Sequence, residues 1–86
     1  MANYRLLTKR SAAKELKALP KKDLARIAAK IQRLAAQPRP PGSEKPSGEE
    51  KYRLRQGDNR VLYSIDDEAM TVTIVKIGHR REIYRG

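Results

Sequence analysis

Two short segments concentrate side chains able to do chemistry on an anion. The first is Lys51-Tyr52-Arg53-Leu54-Arg55. At the period of an extended strand, Tyr52 and Leu54 share one face while Lys51, Arg53 and Arg55 share the other. Arg60 opens the following strand, just past a tight turn at Gly57-Asp58-Asn59. Like charges set side by side repel, so such a row costs stability unless an anion comes to lie across it. The same pattern also describes an ordinary solvated sheet face. The second segment is Gly78-His79-Arg80-Arg81-Glu82-Ile83-Tyr84. Arginine forks onto a phosphate, a tyrosine ring stacks on an exposed base, and an unperturbed imidazole titrates near neutrality. The bland alternative is a solvated basic tail with Tyr84 folded back on the core.

The composition narrows the partner. The chain has 86 residues with 20 Lys and Arg against 10 Asp and Glu, a formal net charge of +10. A length of this order supports one modest core, so residues 1–86 are expected to form a single domain. So strong a positive field suits a polyanion or an acidic protein, and nucleic acid is the first candidate. There is no cysteine, which removes disulfide and thiolate chemistry. With a single histidine, His79, no metal site is expected, and no cofactor is implied. No apolar run approaches membrane-spanning length. The segment from Met1 to Lys9 carries no secretion signature, so a cytoplasmic protein with no membrane partner is expected.

The elements that must position these residues follow from the apolar spacing. Tyr4 to Leu7 reads as a first strand. Thr8 or Ser11 is placed to cap a helix from about Lys9 to Leu19, with Ala12, Ala13, Leu16 and Leu19 on one side. Pro20 breaks the pattern and can open a second helix. In that helix Leu24, Ile27, Ala28, Ile31, Leu34 and Ala35 recur at helical spacing, with Lys22, Asp23, Arg26, Lys30 and Arg33 between them. Gln37 to Gly48, rich in proline and glycine, reads as a surface connection. The period then changes to two over Lys51–Arg55, Val61–Ile65 and Met70–Ile77, with Asp66-Asp67-Glu68 as an acidic turn. The expected fold is α+β: a four-stranded antiparallel sheet with an N-terminal helical hairpin packed on one face, in the order β-α-α-β-β-β. Tyr52 and Leu54 should meet the helices, leaving Arg53 on the far face.

Taken together, the helical hairpin, the basic strand, Asn59-Arg60-Val61-Leu62-Tyr63 and Gly78-His79-Arg80-Arg81-Glu82-Ile83-Tyr84 resemble the RelE/ParE toxin superfamily, and within it the RelE family. The likeness runs from Tyr4 to Arg85, strongest over Lys51–Tyr63 and Gly78–Tyr84. It implies the toxin of a type II toxin–antitoxin system that cleaves messenger RNA in the decoding site of the ribosome. The implied reaction is attack of a ribose 2′-hydroxyl on the adjacent phosphate with departure of a 5′-hydroxyl. By position, Lys51 matches the general base, and Arg53 stands where the family pattern has a second lysine. Arg60 matches the phosphate clamp, Arg80 the group that stabilises or protonates the leaving oxygen, and Tyr84 the stacking platform. His79, Arg55 and Arg81 are secondary candidates.

Elementary chemistry supports these implied roles unequally. A lysine crowded by Arg53, Arg55 and Arg60 gives up its proton more easily, which suits Lys51 to base work. Arg53 and Arg60 keep their protons and serve as fixed charge around a crowded phosphorane. Arg80 is for the same reason an awkward proton donor, and His79 is chemically easier. The resemblance implies as partners an acidic, RelB-like antitoxin bound as a hetero-oligomer, together with the ribosome and messenger RNA. Two other readings stand beside it: a ParE-like toxin that acts on DNA gyrase without cutting RNA, a kind that generally lacks the full basic and tyrosine set, and a nucleic-acid-binding module without chemistry, which shares the charge pattern.

Overall fold

The computed structural model describes residues 3–45 and 51–79. In chain order the elements are β1 (Arg5–Thr8), α1 (Arg10–Lys17), α2 (Lys21–Arg33), β2 (Ser43–Glu44), β3 (Tyr52–Gln56), β4 (Asn59–Asp66) and β5 (Thr71–His79). Residues Arg80, Arg81 and Tyr84 lie outside the described residues.

The fold is α+β, with a five-stranded mixed sheet in the order β1-β5-β4-β3-β2. This corrects the expectation of four antiparallel strands in two respects. First, β1 runs parallel to β5, setting Leu6 beside Val72. Parallel neighbours need a long crossover, and everything between Thr8 and Thr71 supplies it. Second, a short edge strand, β2, lies inside the proline-rich connection and pairs antiparallel with β3. Two paired residues flanked by Pro41 and Gly42 leave no period-two signature. The expected meander is present in β3, β4 and β5.

The helices form for the reasons their spacing gives. Ala12 on α1 and Ile27 and Ile31 on α2 are buried, with Leu34 just beyond the helix end. They close on Leu54, Val61, Tyr63, Val72, Ile74 and Ile77 from the sheet. Truncating Ile27 or Ile74 to alanine here would cost about 2–5 kcal/mol through lost burial and the cavity left behind. The expected side-chain cap of the first helix is absent. Its N-cap is Lys9, without a capping hydrogen bond from its side chain; the turn is closed through backbone, Ala13 N–H donating to the Lys9 carbonyl at 2.9 Å. Pro20 stands at the N-cap of α2, one residue outside the helix.

Two turns position the strands. Gly57 has φ of +59° and Asp58 stays out of the left-handed region. Positive φ at the first central residue alone is the type II′ pattern, whose twist suits the β3–β4 hairpin. Between β4 and β5 the register shifts at Leu62/Tyr63: Val61 pairs with Ile77 and Leu62 with Lys76, but Tyr63 pairs with Ile74. The extra residue in β5 lets Ile74 and Ile77, three apart, both point into the core.

Candidate nucleic-acid interface

The sheet face away from the helices carries the basic residues. Leu54 is buried in the core, whereas Arg53 is half-buried and Arg55 exposed, as alternation along β3 requires. Arg53 lies opposite Leu62, and Leu62 opposite Lys76; Arg55 lies opposite Arg60, and Arg60 opposite Gly78. The pleat therefore lays down two transverse rows, Arg53-Leu62-Lys76 and Arg55-Arg60-Gly78. Lys51, exposed and immediately ahead of β3, continues the alternation beyond Arg53. Successive side chains on one face are about 7 Å apart along the strand. Lys51 thus has Arg53 as its near neighbour on β3, with Arg55 and Arg60 two steps away toward the hairpin turn.

Arg60 is the buried member of this group, at 7% exposure. Its Nη1 donates to the carbonyls of Asn59 at 3.2 Å and Gly57 at 3.4 Å, so the guanidinium folds over the hairpin turn. A buried cation is tolerated when such acceptors replace water. The arrangement fixes a permanent positive charge where the two strands meet. His79 ends β5 opposite Asn59, which is opposite Gln56. That row is one pleat away from Arg55-Arg60-Gly78 and belongs to the helix-side face. The structure therefore brings Arg53, Arg55 and Arg60 together and sets His79 on the other face of the sheet.

Several residues near this face were not singled out from the sequence. Lys76 enters the Arg53 row because the β5 irregularity shifts its phase, a change hidden within an unbroken β-branched run. Lys30 reaches from α2 to donate to the Arg55 carbonyl at 2.9 Å. At the other end of the sheet, Arg39 donates through Nη2 to Asp67 at 2.9 Å and through Nε to the Tyr52 hydroxyl at 2.9 Å. The Tyr4 hydroxyl donates to the same carboxylate at 2.6 Å. These two donors, Arg39 first and Tyr4 second, hold Asp67 below the usual carboxylate range. The Tyr4 hydroxyl is pushed up in turn, chiefly by its bond to Asp67. Tyr52 stacks on Tyr63 with ring centroids 5.6 Å apart, and the Tyr63 hydroxyl donates to the Pro38 carbonyl at 2.8 Å. Burial raises the Tyr63 hydroxyl above its ordinary range. This network ties the proline-rich connection to the start of β3, next to Lys51. Among the described residues, no cluster of His, Asp and Glu is arranged to hold a metal ion, and no helix is long and apolar enough to cross a membrane.

This fold has counterparts among known proteins. Residues 6–84 match the family described as the ParE toxin of the type II toxin–antitoxin system parDE. The chain belongs to this toxin family, within the RelE/ParE superfamily. Among relatives, Toxin RelG of Mycobacterium tuberculosis is 50% identical over 34 residues, a stretch covering 40% of this chain and 39% of RelG. A chain of the toxin–antitoxin complex RelBE2 from Mycobacterium tuberculosis has a TM-score of 0.77 at 28% identity, covering 91% of this chain and 99% of the other. A chain of the archaeal RelE–RelB complex from Pyrococcus horikoshii has a TM-score of 0.78 at 28% identity, covering 91% and 96%. The resemblance to RelE/ParE toxins drawn from Lys51–Tyr63 and Gly78–Tyr84 is thereby upheld, and the parallel β1 and the edge strand β2 belong to the toxin fold as it occurs here.

Proposed function

We propose that this RelE/ParE-type toxin is an endoribonuclease that cuts messenger RNA in the ribosomal A site. The observation that carries the reading is the basic face of the sheet, where Arg53, Arg55 and Arg60 share the side opposite the helices and Lys51 stands exposed at the head of the same strand. Such a face can hold a polynucleotide backbone without disturbing the core beneath it. In the reaction the ribose 2′-oxygen bonds to the adjacent phosphorus and gives its proton to Lys51 as base, while the bond to the 5′-oxygen breaks and that oxygen takes up a proton from water. The products are a 2′,3′-cyclic phosphate and a 5′-hydroxyl. Arg60 and Arg53 stabilise the negative charge that grows on the phosphorane, an effect strongest where water is excluded. By sequence likeness to the family, Arg80 takes the role of stabilising the leaving oxygen and Tyr84 that of stacking on the nucleotide to keep the attack in line.

A positive excess of this size also fits an acidic antitoxin that covers the same face, with association speeded by electrostatic steering. The two structural relatives described above are both toxin–antitoxin complexes, which supports a hetero-oligomer in the resting state. The family description, ParE toxin, favours one second reading, action on DNA gyrase. Mapping of messenger ends after the pure chain meets translating ribosomes separates the two. Cuts within the A-site codon establish the nuclease; intact messenger together with blocked gyrase supercoiling establishes the other.

A further inference from the structure

The pairing of β2 with β3 stops after two residues, Ser43 opposite Leu54 and Glu44 opposite Arg53. Upstream the chain turns away at Gly42, whose φ of +93° lies in the left-handed region that glycine tolerates. Beyond Leu54 the edge of β3 has no strand from this segment beside it, and a notch opens there. The notch is a cavity of about 350 Å³, with Lys30, Arg53, Arg55 and Arg60 in its wall and Glu44 as the one carboxylate there among the described residues. Lys30 approaches from the helix side, and its Nζ donates to the Arg55 carbonyl at the open edge. An ammonium carries three N–H groups, and this bond uses one.

We propose that this notch is a phosphate subsite for the RNA strand, taking the phosphate next to the scissile one, with Lys30 and Arg55 as its cations. The proposal rests on the nuclease reading and extends it to a residue of α2. Among the described residues four cations surround one carboxylate, an excess that selects an anion. The volume suffices for a phosphate with part of its sugar, at the small end of ligand cavities. The notch also continues the basic face by one strand step: Arg53 and Arg55 are about 7 Å apart, a spacing comparable to that of adjacent phosphates along a single strand. A flexible polyanion lying across β3 therefore reaches Lys30 without leaving the sheet.

The test uses the full chain and a short fluorescent single-stranded RNA, 2′-O-methylated throughout so that it cannot be cut. Affinity is measured against salt for the parent, Lys30→Gln, Lys30→Arg and Arg55→Gln. Loss of one charge-assisted phosphate contact should weaken binding roughly tenfold. It should also reduce the slope of log affinity against log salt by about 0.7. Glutamine retains a donor for the Arg55 carbonyl, and Lys30→Arg retains the charge and should bind like the parent. A methylphosphonate placed at the neighbouring linkage should abolish the difference between parent and Lys30→Gln. An unchanged slope in Lys30→Gln overturns the subsite. So does weakened binding to an acidic peptide with RNA binding intact, which would assign the notch to a protein partner. Ribosome-dependent cleavage by the parent is scored separately, so a chain that binds RNA through Lys30 yet never cuts would refute the nuclease reading alone.

Discussion

Arg39 and Asp67, 28 residues apart in sequence, form an ion pair at 2.9 Å that joins the proline-rich connection to the turn between β4 and β5. The same guanidinium sits 5.4 Å from the centre of the Tyr52 ring. The start of β3 is thus held from the side by a charge that is itself held at the far end of the sheet.

This pair gives a pH dependence with a defined sign. The Asp67 carboxyl lies below its ordinary range in the fold, through Arg39 first and Tyr4 second. A group whose folded value is depressed stabilises the fold above its unfolded value and loses that contribution as pH falls through the folded one. Stability should therefore decline with acidification through and below the usual carboxylate range. Asp67→Asn should show a shallower decline there. Denaturant midpoints measured across acid pH for parent and variant check this; parallel curves would mean that solvent screening leaves the exposed pair without effect.

Tyr63→Phe should destabilise the chain by about 1–2 kcal/mol, because the Pro38 carbonyl loses its buried donor while the ring still fills the core. The loss should be larger at neutral pH than in strong alkali. The parent tyrosine, raised by burial, stabilises the fold while protonated and loses that contribution as pH climbs through its folded value. Equilibrium unfolding of the two proteins at neutral and alkaline pH is the measurement.

What the sequence revealed and what it hid divide along the range of the interactions. The helical spacing of Leu24 to Ala35 and the alternation of Lys51 to Arg55 are local, and both stand in the fold with Ile27, Ile31 and Leu54 buried. The direction of β1 depends on contacts with β5, more than sixty residues away, and no local pattern encodes it. Pro41 and Gly42 mask β2, whose two residues are too few to show a period. The phase change that moves Lys76 to the basic face lies inside Thr71–Ile77, a run apolar or β-branched enough to suit either register. Long side chains hide the rest: Arg39 and Lys30 reach partners 28 and 25 residues away, and on a helix or loop they look like solvated charge. The roles of Arg80, Arg81 and Tyr84 rest on sequence likeness, since they lie outside the described residues.

Arg60→Gln should slow cleavage by about a hundredfold, the usual loss when a preorganised donor to a developing oxyanion is removed. Its guanidinium is held by the Gly57 and Asn59 carbonyls, so the variant should alter the turn locally and leave the Leu54–Val61 contact in place. Arg60→Lys should recover part of the rate, because the charge remains while the planar fork is lost. Single-turnover cleavage on programmed ribosomes, with melting curves beside it, tests the pair. Unchanged rates in Arg60→Gln would exclude Arg60 from the phosphate site.

Arg80→Ala and Tyr84→Ala should each relieve growth arrest while the chain stays folded. Neither belongs to the periodic apolar positions that make up the core. Arg80→Ala should lower turnover more than binding, since its charge matters most as the phosphate becomes crowded. Tyr84→Ala should loosen the nucleotide and make in-line attack rare. Full toxicity in both variants would refute the nuclease site and turn attention to gyrase.

Lys51 allows the sharpest test, because charge and proton transfer can be separated at one position. It is exposed at the head of β3, next to a strand start braced by Arg39 through Tyr52. Its removal should therefore leave the core intact. Lys51→Ala should slow cleavage by about a hundredfold or more, within the range that a positioned general base contributes. Lys51→Arg keeps the positive charge and nearly the same reach, yet arginine cannot accept a proton at neutral pH. If Lys51 takes the 2′-hydroxyl proton, Lys51→Arg should be about as slow as Lys51→Ala while binding RNA like the parent. The measurement is the single-turnover rate on messenger programmed in the A site, with RNA affinity recorded for each variant. A Lys51→Arg chain that cuts at the parent rate would reduce Lys51 to a fixed charge and leave the base to be sought elsewhere on the basic face.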